Sequence, residues 1–182
     1  MTKSGHTSAV DTQDWEAVRQ LGKTGKEGMV YLVRLRKGKG RREEHAAMKQ
    51  FKAKKSAATF RTEARFTEAA AHASAAPQVY EIVTASPPRL VMQLMECTVV
   101  DLAQRQGGQL SESQQRDIVE TCLRMDAAGI YHNDPNPLNL MVDADGAFRW
   151  VDFGHSVELK AKHGQHPNVR ALLSSMPISS QH

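Results

Sequence analysis

Three polar side chains suited to phosphate chemistry stand at fixed offsets in one short stretch of the chain. Asp134 lies five residues before Asn139, and Asp152 follows thirteen residues after that amide. An acid and an amide offer the oxygen ligands that Mg²⁺ prefers, and a second acid upstream can accept a proton from an attacking hydroxyl. The residue types therefore predict metal-assisted phosphoryl transfer, with Asn139 and Asp152 on the metal and Asp134 on the acceptor.

A β-hairpin is predicted between the amide and the second acid. Apolar residues alternate from Leu138 to Val142, a turn follows at 143–146, and a second apolar run covers 148–151. This pattern is typical of two short strands joined by a tight turn. The hairpin folds Asp152 back beside Asn139. The alternative interpretation is that the acids belong to turns and the amide caps a strand edge.

Residues 132–139 resemble the catalytic loop H-x-D-x-x-x-x-N of the protein-kinase superfamily, and residues 152–154 resemble its D-F-G motif. The resemblance implies an α+β, protein-kinase-like two-lobe fold. An antiparallel-sheet N-lobe with one helix, ending in a hinge, is expected at 14–95, and a reduced, mainly helical C-lobe at 96–182, in one kinase domain overall. It also implies ATP and Mg²⁺ as cofactors, with Asp134 as the catalytic aspartate that accepts or orients the proton of the acceptor hydroxyl.

A glycine-bearing segment precedes an apolar, strand-like run near the start of the chain. Glycine lets backbone N–H groups approach a phosphate without an intervening side chain. The segment resembles the kinase glycine-rich loop G-x-G-x-x-G-x-V, in which Gly25, Gly28 and Val30 match the second glycine, the third glycine and the valine. Lys23 stands where the first glycine is expected, and Gly22 precedes it.

A lysine on the next predicted strand completes the expected phosphate site. The run Ala47-Met48-Lys49 resembles the V-A-I-K strand of kinases. By that resemblance, Ala47 packs on adenine and Lys49 holds the α- and β-phosphates. The family pairs this lysine with a helical glutamate. We assign Glu63, on the alanine-rich helix predicted at about 56–73, with Glu68 as the alternative.

The segment at 89–96 resembles the strand and hinge that join the two kinase lobes. The resemblance implies that Met92 borders the adenine pocket as gatekeeper and that the backbone of Gln93 and Met95 hydrogen-bonds adenine. Asp101 follows at a position from which a carboxylate can reach a ribose hydroxyl. The alternative role for the Met and Leu cluster is simple core packing.

Two residues of the catalytic loop depart from the typical serine/threonine kinase pattern. Asn133 replaces the arginine that clamps an activation-loop phosphate, so no control of that kind is expected. Asn136 replaces the lysine that meets the γ-phosphate, and a neutral amide stabilises transferring charge less than an ammonium does. Small-molecule kinases of the aminoglycoside and choline type are freer at this position.

Three functions are compatible with these motifs. The first is an ATP- and Mg²⁺-dependent protein kinase, of serine/threonine type, acting on a protein hydroxyl. The second is a small-molecule phosphotransferase. The third is a catalytically weak nucleotide-binding module that acts by interaction. No A-P-E motif follows the D-F-G triplet, so the resemblance covers residues 15 to about 156 and implies a truncated C-lobe, which is the best support for the third.

Composition is that of an ordinary globular protein, with 182 residues, 40% of them hydrophobic, and a net charge of +4. No apolar run reaches membrane-spanning length and no secretory signal opens the chain, which favours an intracellular, cytoplasmic protein, including a viral protein in a host cell. The two cysteines are expected to be reduced. A capping box at 111–114 predicts a helix that runs to about Ala127 and ends at Gly129, with Cys122 in the core.

Residues 1–13 are predicted to be disordered. The basic segment 34–42 is interpreted as a solvated hairpin tip, or alternatively as a patch for an acidic partner or nucleic acid. Oligomeric state stays open.

Overall fold

The computed structural model describes residue 12 and residues 14–22, 25, 27–36 and 44–175, which form two compact units. The first unit runs to Phe60 and takes in Val79–Leu94. The second holds Arg61–Gln78 and the chain from Met95 onward. Most of the predicted basic segment, the polar tail and, apart from Thr12, the N-terminal segment expected to be disordered lie outside the described residues.

The first unit is built on a five-stranded antiparallel sheet. Its strands follow the alternating and β-branched runs that favour extended backbone, and their order across the sheet is β1-β2-β3-β5-β4. Two of the pairings contain a β-bulge, one in β1 and one in β4. The strands are β1 (Trp15–Leu21), β2 (Gly28–Leu35), β3 (His45–Phe51), β4 (Val79–Val83) and β5 (Arg89–Gln93).

Apolar side chains on one face of this sheet form the core of the first unit. The cluster consists of Trp15, Val33, Ala46, Met48 and Val91, all buried. The chain just before β1 is also fixed, since the Thr12 hydroxyl donates to the Glu81 carboxylate on β4 at 2.9 Å. The Trp15 ring stacks on Tyr80, with centroids 5.8 Å apart.

Helix α1 (Ala57–His72) follows the sheet's third strand, and the division between the units falls within it. It begins after Ser56, whose hydroxyl oxygen accepts a hydrogen bond from Thr59 N at 3.1 Å, as in an N-cap. Alanine and long side chains dominate the helix, and both have high helix propensity. The helix predicted over 56–73 is therefore observed within one residue at each end.

The second unit combines three further helices with two small antiparallel sheets. One sheet has the order β6-β8-β9 and the other pairs β10 with β7. Its helices are α2 (Val99–Arg105), α3 (Glu112–Ala127) and α4 (Pro167–Ser175), and its strands are β6 (Cys97–Thr98), β7 (Ile130–Tyr131), β8 (Leu140–Val142), β9 (Phe148–Trp150) and β10 (Val157–Glu158).

Helix α3 has the start and the end that its sequence predicts. Ser111 and Gln114 form the predicted capping box, with Ser111 Oγ accepting from Gln114 N at 3.2 Å. Gly129 follows the helix with φ +72°, the left-handed conformation that glycine adopts most easily. The inward face of α3 is buried at Ile118, Cys122 and Met125. Cys122 is therefore a core residue, as predicted.

The second unit has the larger apolar core, which surrounds the predicted hairpin. Fully buried side chains include Met125, Ile130, Leu140, Trp150 and Phe153. The hairpin itself is observed, with Leu140 opposite Trp150 and Val142 opposite Phe148. Among the described residues, no helix is both long enough and apolar enough to cross a membrane.

Candidate active site

The loop after β7 holds Asp134 and Asn139 together through their side chains. The Asn139 amide nitrogen Nδ2 donates to Asp134 Oδ2 at 3.1 Å and to the Asp134 backbone oxygen at 3.2 Å. Donation from Nδ2 assigns the amide orientation, so Oδ1 is the end left to act as a ligand. The acid therefore has a fixed position, and the amide offers an oxygen of the type that hard cations prefer.

The hairpin brings Asp152 back to the same place. Val151 N donates to the Asn139 backbone oxygen at 2.8 Å, extending the β8–β9 register by one position. Asp152 comes next and has φ +66° and ψ +62°, a left-handed conformation that aspartate enters more readily than most non-glycine residues. Such backbone strain persists where surrounding contacts determine it, and it is concentrated at functional sites. The residues predicted as metal ligands are thus neighbours across one hairpin.

His132 connects the loop to the hairpin from inside the core. It is fully buried, and its Nε2 lies 3.0 Å from the Val151 backbone oxygen, an acceptor to which a protonated Nε2 donates. Its ring packs on Trp150 and Phe153, with centroids 4.9 and 5.0 Å away. Burial lowers the pKa of His132, although the Val151 carbonyl and the nearby acids oppose the shift. The imidazole is therefore neutral at pH 7 and serves as a structural link.

Asn168 anchors the same loop from helix α4, and sequence reasoning missed this role. Its side chain is fully buried. Oδ1 accepts from His132 N at 2.9 Å, while Nδ2 donates to the Ile130 backbone oxygen at 2.7 Å and to Asp126 Oδ1 at 2.6 Å. One amide therefore connects α3, β7, the catalytic-type loop and α4. Nothing in the local pattern around Asn168 signals this, because its partners are distant in sequence.

The two unusual asparagines of the loop have local structural roles. Asn133 adopts φ +61°, and its Nδ2 donates to the His155 backbone oxygen at 3.2 Å. Asn136 caps the 3-10 turn Pro137–Asn139, with Oδ1 accepting from Leu138 N at 2.9 Å. Both side chains therefore hold the loop's shape. His163 also makes a local contact, since its Nδ1 accepts from Lys160 N at 2.8 Å.

The glycine-bearing segment of the first unit has two positions that require glycine for different reasons. Gly22 has φ +68°, which strains other residues. A Cβ on Gly28 would lie 2.1 Å from the Gln50 backbone oxygen, because β2 and β3 approach closely there. Gly25 N donates to the Gly28 oxygen at 2.9 Å and closes the loop. The intervening residues 23, 24 and 26 lie outside the described residues.

Strand register places the other predicted nucleotide-binding residues of the first unit side by side. Val30 pairs with Lys49 on β3, and Ala47 pairs with Met92 on β5. Gln93 ends β5 and pairs with Ala46, while Met95, the other predicted hinge residue, belongs to the second unit.

Lys49 contacts a carboxylate that sequence reasoning missed. Its Nζ lies 3.6 Å from Glu27 Oε2. The sequence does indicate this contact, since Glu27 is an acid that lies between Gly25 and Gly28 of the glycine-bearing segment. It went unused because the kinase pattern assigns no role to that position.

The two candidate glutamates of helix α1 differ in burial. Glu63 is 2% exposed, whereas Glu68 lies on the exposed side of the helix. The pairing of Glu63 with Lys49 stays a prediction. Asp101, suggested as a ribose ligand, belongs to the capping box of α2: its Oδ2 accepts from Thr98 Oγ1 at 2.7 Å and from Thr98 N at 3.2 Å, and the ribose contact stays a prediction. These hydrogen bonds lower the pKa of the Asp101 carboxyl.

An acid held by an amide, next to a second acid on a hairpin, is an arrangement suited to phosphoryl transfer. The family model of the protein kinase domain matches residues 15–174. The chain therefore belongs to the protein kinase family, and the predicted α+β kinase-like fold is confirmed. No curated protein sequence matches this chain.

Proposed function

We propose that the chain is an ATP- and Mg²⁺-dependent protein kinase that transfers the γ-phosphate to a serine or threonine hydroxyl. Kinase-type phosphotransfer follows from the family; the cofactors, the acceptor and catalytic competence are the proposal. The observation that carries the proposal is the pair of hydrogen bonds from Asn139 Nδ2 to Asp134. The backbone oxygen of the same asparagine accepts from Val151 N, which places Asp152 next to it.

Asp134 acts on the acceptor in this proposal. Its carboxylate accepts or orients the proton of the incoming hydroxyl, and the hydrogen bond at Oδ2 limits the carboxylate's rotation. A fixed base near an attacking oxygen contributes through positioning as well as proton transfer. The protein substrate is therefore expected to present its hydroxyl to the loop at 132–139.

Asn139 and Asp152 are the proposed metal ligands. An amide oxygen and a carboxylate match the hard oxygen donors that Mg²⁺ takes, usually together with substrate phosphates and water. When bound, the metal offsets the negative charge of the β- and γ-phosphates. The chain's own contribution is to fix the two ligands across the hairpin, through Val151 N and the Asn139 backbone oxygen.

The first unit supplies the proposed nucleotide-binding residues. Glycine backbone at the loop and the Lys49 ammonium bind phosphates, and residues on paired strands border the adenine. Glu63 is the proposed partner of Lys49, since a buried carboxylate requires a compensating partner while the exposed Glu68 does not. The complete proposed nucleotide set is Gly22, Gly25, Gly28, Val30, Ala47, Lys49, Met92, Gln93 and Met95.

One observation favours a small-molecule phosphotransferase as a second candidate. The Asn136 side chain is occupied in capping the turn, with Oδ1 on Leu138 N. It is a neutral structural group at the position where typical serine/threonine kinases place a lysine for the γ-phosphate. A panel of peptide and metabolite acceptors distinguishes the two, because only one class becomes labelled.

The test is transfer of label from γ-labelled ATP to a generic basic protein and to the chain itself, with and without Mg²⁺. We expect Asp134→Asn to reduce the rate at least about 100-fold, the range in which a general base contributes. Asp145→Asn is the matched control, because it makes the same change at the exposed hairpin turn. Equal activity of the wild type and Asp134→Asn refutes the catalytic assignment. Nucleotide binding without transfer to any acceptor supports a non-catalytic binding module instead.

A further inference from the structure

A surface cavity in the second unit lies between strand β7 and helix α4. Its volume is about 420 Å³, and its lining includes a tyrosine, a histidine and an arginine. The lining residues are Tyr131, His163, Pro167, Arg170, Ala171 and Ser174. None of them belongs to the motifs from which the active site was assigned. The cavity is therefore not accounted for by nucleotide binding or by proton transfer.

The cavity lies close to the loop that carries Asp134. Tyr131 precedes Asp134 by three residues, so their Cα atoms are at most about 11 Å apart. The end of helix α4 is held to the same loop, because Ser175 Oγ donates to the Pro135 backbone oxygen at 2.6 Å. A protein substrate that presents its hydroxyl to Asp134 therefore has neighbouring residues within reach of the cavity.

Arg170 is held in place by a backbone oxygen and not by an acid. Its Nη2 donates to the His163 backbone oxygen at 2.5 Å, and among the described residues this is the acceptor of its guanidinium. Gly164 has φ +72°, and a Cβ there would lie 2.9 Å from the same Nη2, so the guanidinium packs directly on this turn. A guanidinium has five donor hydrogens, so most of them are left for a second partner.

The segment that forms this wall is basic. From Leu159 to Ser175 the sequence contains no Asp or Glu. Its basic side chains are Lys160, Lys162, His163, His166 and Arg170. In the described part of the chain, the pairing of this segment with carboxylates is limited to His166 with Asp126, at 3.9 Å. The acid that precedes the segment, Glu158, lies 3.2 Å from Arg65 Nη1. The two lysines and Arg170 therefore give this surface an excess of positive charge.

Two neutral donors accompany Arg170 in the cavity. His163 Nδ1 accepts from Lys160 N at 2.8 Å, which assigns the proton of the neutral ring to Nε2. The same ring lies against Tyr131, with centroids 4.9 Å apart, and the tyrosine brings a hydroxyl. The lining therefore combines one fixed cation with hydrogen-bond donors, which is suited to a ligand that only accepts hydrogen bonds.

We propose that this cavity, with Arg170 as its main cation, binds acidic side chains next to the acceptor hydroxyl of a protein substrate. The inference rests on the proposed function and deepens it, since it makes the preferred acceptor a serine or threonine with Asp or Glu a few residues away. An ionised carboxylate only accepts hydrogen bonds, and its bonds to a guanidinium are charge-assisted. An acidic protein is therefore expected to be a better acceptor than the basic protein of the general assay.

The alternative is that Arg170 only stabilises the turn at Gly164, through its contact with the His163 backbone oxygen. Under that alternative, Arg170→Gln lowers stability, or lowers activity toward every acceptor alike. A binding role instead changes the ratio of activities toward acidic and neutral acceptors. This ratio is therefore the quantity that separates the two interpretations.

The experiment compares two peptides that differ only in charge. Each has one serine flanked on both sides by three residues, which are glutamates in one peptide and glutamines in the other. We expect the wild type to favour the acidic peptide about fivefold or more in kcat/KM, because one exposed ion pair contributes up to about fivefold and several cations act together. The difference should appear in KM, as expected for uniform binding, and it should shrink as salt is added.

The variants test which residue sets the preference. Arg170→Gln should lower the preference about threefold or more, and Arg170→Glu should lower it further, whereas Arg170→Lys should retain most of it. Arg116→Gln is the matched control, since it removes one charge from the exposed face of α3, where the side chain is 69% exposed. The double change Lys160→Gln and Lys162→Gln, at two exposed positions, should also lower the preference and serves as the test if Arg170→Gln does not fold.

Two results overturn the inference while leaving the proposed function intact. One is a wild type that phosphorylates both peptides equally well. The other is an Arg170→Gln variant, or the double lysine variant in its place, that keeps the full preference of the Arg116→Gln control. A wild type that phosphorylates neither peptide, nor any protein of the general assay, overturns the proposed function first, and this inference with it.

Discussion

Replacing Asn168 with alanine should destabilise the second unit strongly, although the residue lies outside every kinase motif. The substitution leaves two buried groups, His132 N–H and the Ile130 carbonyl, without their partner, and it leaves Asp126 Oδ1 with only the backbone N–H of residue 168, at 3.4 Å. Each unsatisfied buried group costs about 1–3 kcal/mol, and non-additivity among neighbours reduces the sum. We therefore expect a loss of about 3–5 kcal/mol, a large part of the about 5–15 kcal/mol typical of a folded domain.

Asn168→Asp tests the donor half of this network at nearly constant volume. The new carboxylate can still accept from His132 N, but it faces two acceptors, Ile130 O and Asp126 Oδ1, where Nδ2 donates now. We expect it to lose about as much stability as the alanine variant, since a carboxylate facing acceptors is both desolvated and repelled. A purely steric role for Asn168 predicts little change for this variant.

The assay is urea unfolding followed by tryptophan fluorescence, with Ser174→Ala as the control on the exposed side of the same helix. Phosphotransfer by the folded variants, measured at urea concentrations below the unfolding transition, separately tests whether Asn168 positions the catalytic loop. We expect kcat to fall while KM for ATP changes little, because Asn168 holds the loop that carries Asp134. A loss below about 1 kcal/mol, the worth of one ordinary hydrogen bond, would refute the reasoning.

Three further expectations concern other parts of the chain. Gly28→Ala should destabilise the first unit by about 1–3 kcal/mol, since its Cβ meets the Gln50 oxygen; unchanged thermal unfolding contradicts this. Burial lowers the pKa of His132, so below pH 6.5 the unfolded state binds a proton that the folded state does not. The free energy of unfolding should therefore fall by up to about 1.4 kcal/mol for each pH unit below 6.5. His132→Phe should reduce that slope relative to the wild type in urea titrations. Burial raises the pKa of Cys122 to about 12 and Cys97 is also buried, so neither thiol should react with a maleimide at pH 7 until urea is added; labelling of native protein would contradict their burial.

The parts of the fold that the sequence predicted well are those with local physical causes. The β8–β9 hairpin follows from alternation on both sides of a short turn, and its register is set by that turn. Helix α3 follows from a capping box at its start and from a glycine just after its end. Each of these signals lies within a few residues of the structure it determines.

Helix α2 was missed although its signal was local. Thr98 and Asp101 form a capping box, but the acid was interpreted as a ribose ligand by resemblance. The structure shows its carboxylate accepting two hydrogen bonds from Thr98. The ribose contact stays a prediction, whereas the capping box could have been predicted from the spacing of Thr98 and Asp101 alone.

The remaining misses concern polar residues whose partners are distant in sequence. Asn168 contacts His132, Ile130 and Asp126 from 36 to 42 positions away. No periodicity or spacing rule reaches that far, because such contacts depend on how the elements pack. Lys55 and Glu27, 28 positions apart, are the same kind of pair in the first unit. Buried polar pairing of this sort becomes visible only once packing is known.

The local and the distant contributions meet in the loop that carries Asp134. Two non-glycine residues flanking the site, Asn133 and Asp152, have left-handed backbone, a conformation that costs roughly 1–3 kcal/mol each. Part of the support comes from the motif itself, since Asn133 Nδ2 donates to the His155 backbone oxygen and His132 Nε2 lies 3.0 Å from the Val151 backbone oxygen. The rest comes from outside the motif, since Asn168 accepts from His132 N and donates to the Ile130 backbone oxygen. The short motifs therefore specify which groups do the chemistry, while a residue outside them helps to maintain the strained geometry in which those groups can act.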